Sequence, residues 1–437
     1  MIGQVLERVL SMRLVRNSAY LFGARFINSL SILALILLIS RRLGPDIFGG
    51  YSFLNAVIMT GVVVANFGLD TLMVREVSRN PLQGNRFLAS VLGFKVISSL
   101  VVMAGLCGLF RLFLGDQDMI KLLAVFSIVI CLNSLSQSLW YYGDAFQKFQ
   151  FHAILWASSN VIKVPIVWFF ISVRHDLAMV IYALVIAEVV SLIISGCWVS
   201  FHFRLVLSDV SFKSVAPLFK KGWPLAVVFI LSAIYFRIDL MMLEVMKGEK
   251  AVGIYSAAYR LIEFLSIIPG TVTIAALPGL AGDYSTDIEA FRANFYKTLT
   301  ILGVAGGAIG LLLYLFSKQI VLLLYGPLFS DSVLSLSILS GVVFFLFVNA
   351  CLAYVTIASN NDRPVALILV ISTMLNVLLN LYLIPRYSHV GAALSTLLSE
   401  ILMLLFYIFV FRKRNILFSQ NIPRTELTQR IRATAVK

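Results

Sequence analysis

Ala178-Met-Val-Ile-Tyr-Ala-Leu-Val-Ile-Ala-Glu188-Val-Val-Ser-Leu-Ile-Ile-Ser-Gly-Cys-Trp-Val199 carries a single charged residue, Glu188. A bilayer core about 30 Å thick takes about 20 apolar residues as a helix, so this stretch reads as a membrane span. Comparable runs recur along the chain, separated by short polar segments. They place spans at roughly 18–40, 47–68, 87–110, 119–141, 154–173, 178–199, 222–244, 252–276, 296–316, 333–357, 364–384 and 390–411. The composition agrees: 60% of the 437 residues are hydrophobic and 13% charged, against roughly 25% charged in a soluble domain. The expected fold is therefore an all-α membrane protein of about twelve transmembrane helices.

The net charge of +14 does not point to nucleic acid, because the bases lie between apolar spans and not in one block. With a cytoplasmic N-terminus, 21 lysines and arginines fall on inner segments and nine on outer ones, the asymmetry of the positive-inside rule. Both termini are then cytoplasmic. The first apolar run is long enough to remain as a span and shows no cleavable leader. Cys107, Cys131, Cys197 and Cys351 lie in apolar stretches without metal-ligand spacing, and are read as small core residues. No metal or cofactor is expected. No phosphate-binding glycine loop, GxSxG or HExxH motif is present, so no catalytic residue is assigned and the chain is not read as an enzyme.

The chain repeats itself. Gly44-Pro-Asp-Ile-Phe-Gly49-Gly-Tyr51-Ser52 and Gly248-Glu-Lys-Ala-Val-Gly253-Ile-Tyr255-Ser256 both read G-x4-G-x-Y-S, each ahead of an even-numbered span. Glu188 and Glu400 occupy similar places in the sixth and twelfth spans. The expected organisation is an N-terminal lobe (1–210, helices 1–6) and a C-terminal lobe (211–437, helices 7–12). A basic cytoplasmic tail (412–437) follows, and an axis along the membrane normal relates the two lobes around a central cavity.

Five bases fall inside spans: Arg25, Lys95, Lys163, Arg237 and Arg260. Each costs roughly 2.5–3.5 kcal/mol at a helix centre, so such residues face a partner or a wet cavity. The intramembrane acids available to them are Glu188, Asp239, Glu263 and Glu400. Arg260 and Glu263, three apart, can pair on one helix face. Arg237 and Asp239, two apart, fall on different faces. Lys95 and Lys163 are read as long side chains reaching a membrane surface. Arg25, Arg237 and Arg260 are the candidates for a cationic cavity, because guanidinium forks match phosphate oxygens; pairing with an acid on another helix is the other reading. Tyr255, Tyr259 and Glu263 share a helical stripe that either lines a sugar-accommodating surface or packs. Asp239, Glu263, Glu188 and Glu400 are candidates for proton or sodium coupling, or for purely structural roles.

Gly222-Trp-Pro-Leu225, Tyr235-Phe-Arg-Ile-Asp239 and Ala251-Val-Gly-Ile-Tyr-Ser-Ala-Ala-Tyr-Arg260-Leu-Ile-Glu263 resemble the seventh and eighth helices of polysaccharide flippases. Arg42-Leu-Gly44 with Phe48-Gly-Gly-Tyr51, and the run from Asn376 through Ile384-Pro-Arg386 and Gly391-Ala-Ala393 to Glu400, resemble other parts of the same family. That family comprises O-antigen and exopolysaccharide flippases, within the multidrug/oligosaccharidyl-lipid/polysaccharide exporter superfamily. The resemblance implies alternating access in a bacterial inner membrane. It also implies an isoprenoid-pyrophosphate-linked oligosaccharide as substrate, moved from the cytoplasmic to the periplasmic leaflet for surface polysaccharide and lipopolysaccharide biosynthesis. The implied partners are membrane lipids, with a polysaccharide polymerase and chain-length machinery, and no nucleic acid. A cation-coupled multidrug exporter is the alternative, disfavoured by the surplus of buried bases. A membrane-embedded glycan ligase or polymerase is disfavoured by the short outer loops.

Overall fold

The computed structural model describes residues 2–113, 116–203, 223, 226–359 and 361–414, with side chains from Gly23 onward apart from those at 113, 285 and 362. The junction near 200–221 lies largely outside the described residues, as do the basic tail beyond 414 and Gly222, Pro224 and Leu225 of the family-like stretch.

The helices are α1 (Ile2–Asn66), α2 (Leu69–Arg79), α3 (Gly84–Phe113), α4 (Gln117–Ala145), α5 (Phe149–Val173), α6 (Leu177–Phe203), α7 (Ala226–Tyr235), α8 (Ile238–Lys247), α9 (Glu249–Leu265), α10 (Ile267–Thr286), α11 (Ile288–Leu315), α12 (Ser317–Leu324), α13 (Ser332–Ala358) and α14 (Asp362–Arg414). The described residues contain no β-strand. Among the described residues, nine helices are long and apolar enough to cross a membrane, ten if the pair α7–α8, bent by 44°, is one span. Polar side chains set several ends. Asp116 caps α4 through the amides of Asp118 and Met119, and Asp287 caps α11 through those of Glu289 and Ala290.

Two helices are hairpins. In α1, Ser29, Leu33 and Ile36 line the same cavity as Met59, Asn55 and Tyr51. A straight helix would hold Ser29 and Met59 about 45 Å apart. The chain reverses between them at Gly44, whose φ of 77° belongs to the left-handed side of conformational space. In α14 the non-helical residue is Ser388. A Cβ on Gly391 would meet the carbonyl of Leu383, which eight residues of straight helix would hold about 12 Å away. The expected 252–276 span falls within one apolar stretch, Glu249–Tyr284, that runs through α9 and α10 across Ser266.

The repeat has a physical counterpart. Gly44 (φ 77°, ψ 179°) and Gly248 (φ 79°, ψ 177°) adopt the same backbone. A Cβ on Gly49 would collide with the carbonyl of Glu249, and one on Gly253 with the carbonyl of Pro45. The two motifs thus cross each other reciprocally, backbone on backbone, which glycine alone permits. Deeper in the bundle, Asn133 donates to Glu188 at 3.3 Å in the first half, and Asn349 to Glu400 at 2.8 Å in the second.

Lys95 does not reach a membrane surface. It is fully buried and bonds both carboxylate oxygens of Asp70 at 2.8 Å and the carbonyl of Ser134 at 3.0 Å. Asp70, beyond the expected end of the second span, turns inward because Phe67 and Gly68 take positive φ and restart the chain as α2. Asp70→Ala should therefore destabilise the protein by about 3–5 kcal/mol, since it strands a buried ammonium. Lys95→Met in the same chain should recover most of that loss in a thermal unfolding assay. Equal loss in single and double variants would contradict the pairing.

Candidate functional site

A cavity of about 310 Å3 is walled by the α1 hairpin and by α4, α5, α6, α9 and α10. Its charged residues are Lys163, Glu188, Arg237, Arg260 and Glu263, three bases to two acids. Two ion pairs lie in its wall. Lys163 Nζ lies 2.6 Å from Glu188 Oε1, with Asn160 accepting from the same ammonium at 3.1 Å. Arg260 Nη1 donates to Glu263 Oε2 at 2.6 Å, while its buried Nε has no partner. Lys163 is therefore part of the cavity wall and not a surface-reaching residue; its side chain is 12% exposed.

Arg237 stands apart from these pairs. The α7–α8 bend places it at the break, where it precedes the first turn of α8 with non-helical backbone. Its guanidinium has five N–H donors and, among the described residues, makes one long hydrogen bond, 3.5 Å to the carbonyl of Ala233. Arg237 also lines a second cavity of about 210 Å3 and a third of about 310 Å3. The second contains Asp239, Glu263 and Glu400; the third contains Asp70, Gln137 and Tyr141. A basic chamber and an acidic chamber therefore meet at Arg237, and Glu263 lines both.

Arg237 and Asp239 do not pair, as their spacing suggests, although the cause is the helix break and not a continuous helical face. Asp239 is held by Asn380 at 2.7 Å, Thr396 at 2.8 Å and Tyr255 at 2.9 Å. Glu400 accepts from Asn349 and, at 2.9 Å, from Tyr235. The stripe on α9 divides in role. Tyr255 is fully buried, and its ring stacks on Tyr259 at 5.4 Å. Tyr259 donates to the carbonyl of Phe236 at 3.2 Å and lines the acidic chamber. Of the stripe, only Glu263 reaches the basic chamber. Arg25 is half-buried, within electrostatic range of Tyr141, and does not line the chamber that holds Arg237 and Arg260.

Sequence reasoning missed Asp70, Tyr51 and Asn55. The last two were within reach, because Tyr51 is the repeat counterpart of Tyr255 and Asn55 follows one helical turn later. Cys197 is exposed on the bundle surface and not a core residue; among the described residues all four cysteines are free.

One end of the cavity is shut. Besides the glycine crossing, the ring of Phe48 meets that of Phe329 edge-on at 6.0 Å. Arg41 donates to the carbonyls of Leu323 and Leu324, at the end of α12, where a cation also complements the helix dipole. At the opposite end the halves approach through side chains: a Cβ on Gly68 would lie 3.6 Å from the ring of Phe229.

Comparison with known proteins gives two family matches. The family described as "Polysaccharide biosynthesis protein" matches residues 14–281, and the MatE family matches residues 224–382. The capsular polysaccharide biosynthesis protein CapF of Staphylococcus aureus is 23% identical over 411 residues, 92% of this chain and 100% of that one. A putative O-antigen transporter of Escherichia coli strain K12 is 21% identical over 396 residues, 89% of this chain and 94% of that one. Among solved structures, the lipid II flippase MurJ in an inward closed conformation superposes with a TM-score of 0.73 at 16% identity, over 91% of this chain and 87% of that one; this likeness shows the fold.

Proposed function

The chain belongs to the polysaccharide biosynthesis protein family, and from that premise we propose that it is a flippase for isoprenoid-pyrophosphate-linked oligosaccharide in surface polysaccharide biosynthesis. The observation that carries this reading is Arg237, a half-buried guanidinium whose single hydrogen bond among the described residues is long, at the meeting point of three cavities. A dianionic head group entering the basic chamber would engage Arg237 directly, and would compete with Glu263 for Arg260 and with Glu188 for Lys163. The free Arg260 Nε is a further donor aimed at no protein group. Arg25, nearer the other end of α1, is read as an approach residue. The glycan would occupy the chamber beside Tyr51 and Asn55 while the isoprenoid tail stays in lipid.

Twelve crossings follow when each hairpin is counted as two and the bent pair as one. With both termini cytoplasmic in a bacterial inner membrane, the end sealed by Gly49 and Gly253 faces outward. The described form is then closed outside. Rocking of residues 1–210 against 211–437 would open that seal. The acidic chamber, with Asp239 and Glu400, is the place for a coupling proton or sodium ion. A polymerase and chain-length machinery would receive the product.

Reconstitution tests the reading. Vesicles carrying the purified protein should move a fluorescent pyrophosphate-linked oligosaccharide to the opposite leaflet and leave a cationic dye in place. Export of the dye without movement of the oligosaccharide would establish the multidrug alternative instead.

A further inference from the structure

The seam between α1 and α5 carries two surfaces. Leu33 and Ile36 of α1, with Lys163 of α5, face the central cavity. On the other side, Ala34, Leu37, Leu38, Val164, Pro165 and Trp168 wall a separate groove of about 480 Å3 that ends at Arg41 and Arg42. From Ala34 to Arg42 the helix rises about 12 Å, a length suited to part of one acyl chain. Trp168 is 53% exposed and lines the groove together with the two guanidinia. An apolar trough topped by an exposed tryptophan and two arginines is the layout of a bilayer interface, where aromatic rings and cations sit at the level of the head groups.

The two arginines are not equivalent. Arg41 is engaged by the carbonyls of Leu323 and Leu324 and so bridges the two halves of the protein. Arg42 is exposed and makes no hydrogen bond or ion pair among the described residues. A free guanidinium over an apolar trough complements one kind of membrane molecule: an anionic head group attached to a hydrocarbon chain.

We propose that this groove binds an anionic phospholipid, with its phosphate on Arg42 and one acyl chain along Leu37, Leu38 and Val164. The occupant is a resident lipid and not the transported molecule, since the groove lies on the far side of α1 from the basic chamber. Its phosphate would sit next to the Arg41 bridge, so its presence favours the sealed end. This site depends on the fold in its membrane and not on which glycan is carried.

Native mass spectrometry of the purified protein in mixed micelles tests it without any transport assay. Phosphatidylglycerol and phosphatidylcholine of identical chains are supplied at equal concentration. The wild type should retain phosphatidylglycerol about fivefold over phosphatidylcholine, the preference one engaged arginine near a surface confers. Arg42→Gln should abolish that preference, Trp168→Ala should lower retention of both lipids, and Arg111→Gln, an exposed base away from the groove, should leave the preference intact. Equal retention of the two lipids by wild type, or a preference that survives Arg42→Gln, would overturn the site. Displacement of phosphatidylglycerol by an equal amount of a polyprenyl phosphate would overturn the assignment of its occupant.

Discussion

Arg237→Ala is expected to lower flipping of a pyrophosphate-linked oligosaccharide by about ten- to a hundredfold at unchanged membrane abundance. The magnitude follows from the hydrogen bonds to a charged group that the variant removes, about 1.5–3 kcal/mol, where 1.4 kcal/mol is a factor of ten. The direction follows from the surroundings. Lys163 and Arg260 each already hold a carboxylate at 2.6 Å, so a phosphate must first displace an anion to reach them. At Arg237 it displaces nothing but a 3.5 Å contact to a carbonyl. Arg237→Lys should recover part of the rate, because the charge remains while the bidentate fork is lost. Arg260→Ala should do further harm beyond the lost donor, because it leaves the Glu263 carboxylate without its cation beside the chamber, where it repels a phosphate. Surface polysaccharide in a strain lacking the native protein gives the cellular readout. Full polysaccharide from Arg237→Ala would remove the basis of the proposed site.

The second large effect is expected at Gly49. Alanine there puts a Cβ into the carbonyl of Glu249, and within 2.9 Å of the Gly253 amide nitrogen. Backbone cannot yield as the end of a flexible side chain can, so the crossing of the two motifs has to separate. Gly49→Val should therefore hold the seal open and stop turnover, while the protein still folds, since each half keeps its own packing. Asn55→Cys, in a chain otherwise free of cysteine, lines the cavity just beneath the seal and reports the state. Labelling by a membrane-impermeant thiol reagent from the outer face should rise several-fold when Gly49→Val is added. Gly253→Val should do the same, because its Cβ meets Pro45 in the mirrored contact. Unchanged labelling in both would mean that the crossing is not the barrier.

Much of this site was legible residue by residue. The Arg260–Glu263 pair follows from a separation of three on a helix, and the separation of Arg237 from Asp239 from a separation of two. The G-x4-G-x-Y-S repeat marked the two glycines that cross. The misread residues share a cause. Lys95 and Lys163 looked like surface-reaching side chains because their partners, Asp70 and Glu188, are 25 residues away in each case, on other helices. Asp70 in particular lay outside the expected span, because positive φ at Phe67 and Gly68 is not encoded in apolar periodicity. For Tyr255 the stripe left a sugar surface and packing both open, and its buried hydroxyl, which holds Asp239, takes the second.

By itself, the sequence determined the solvent in which this protein folds and hence its elements. Apolar runs of about 20 residues leave no stable arrangement for the backbone in lipid but helices, and the doubled motif marked the two glycines that cross. Which charges on different helices neutralise one another was decided by tertiary structure alone. A helix of known face and length does not say which neighbour it meets, and over a few ångströms that neighbour determines whether an intramembrane base is spent on a carboxylate, as Lys163 is, or left with one long contact to a carbonyl among the described residues, as Arg237 is.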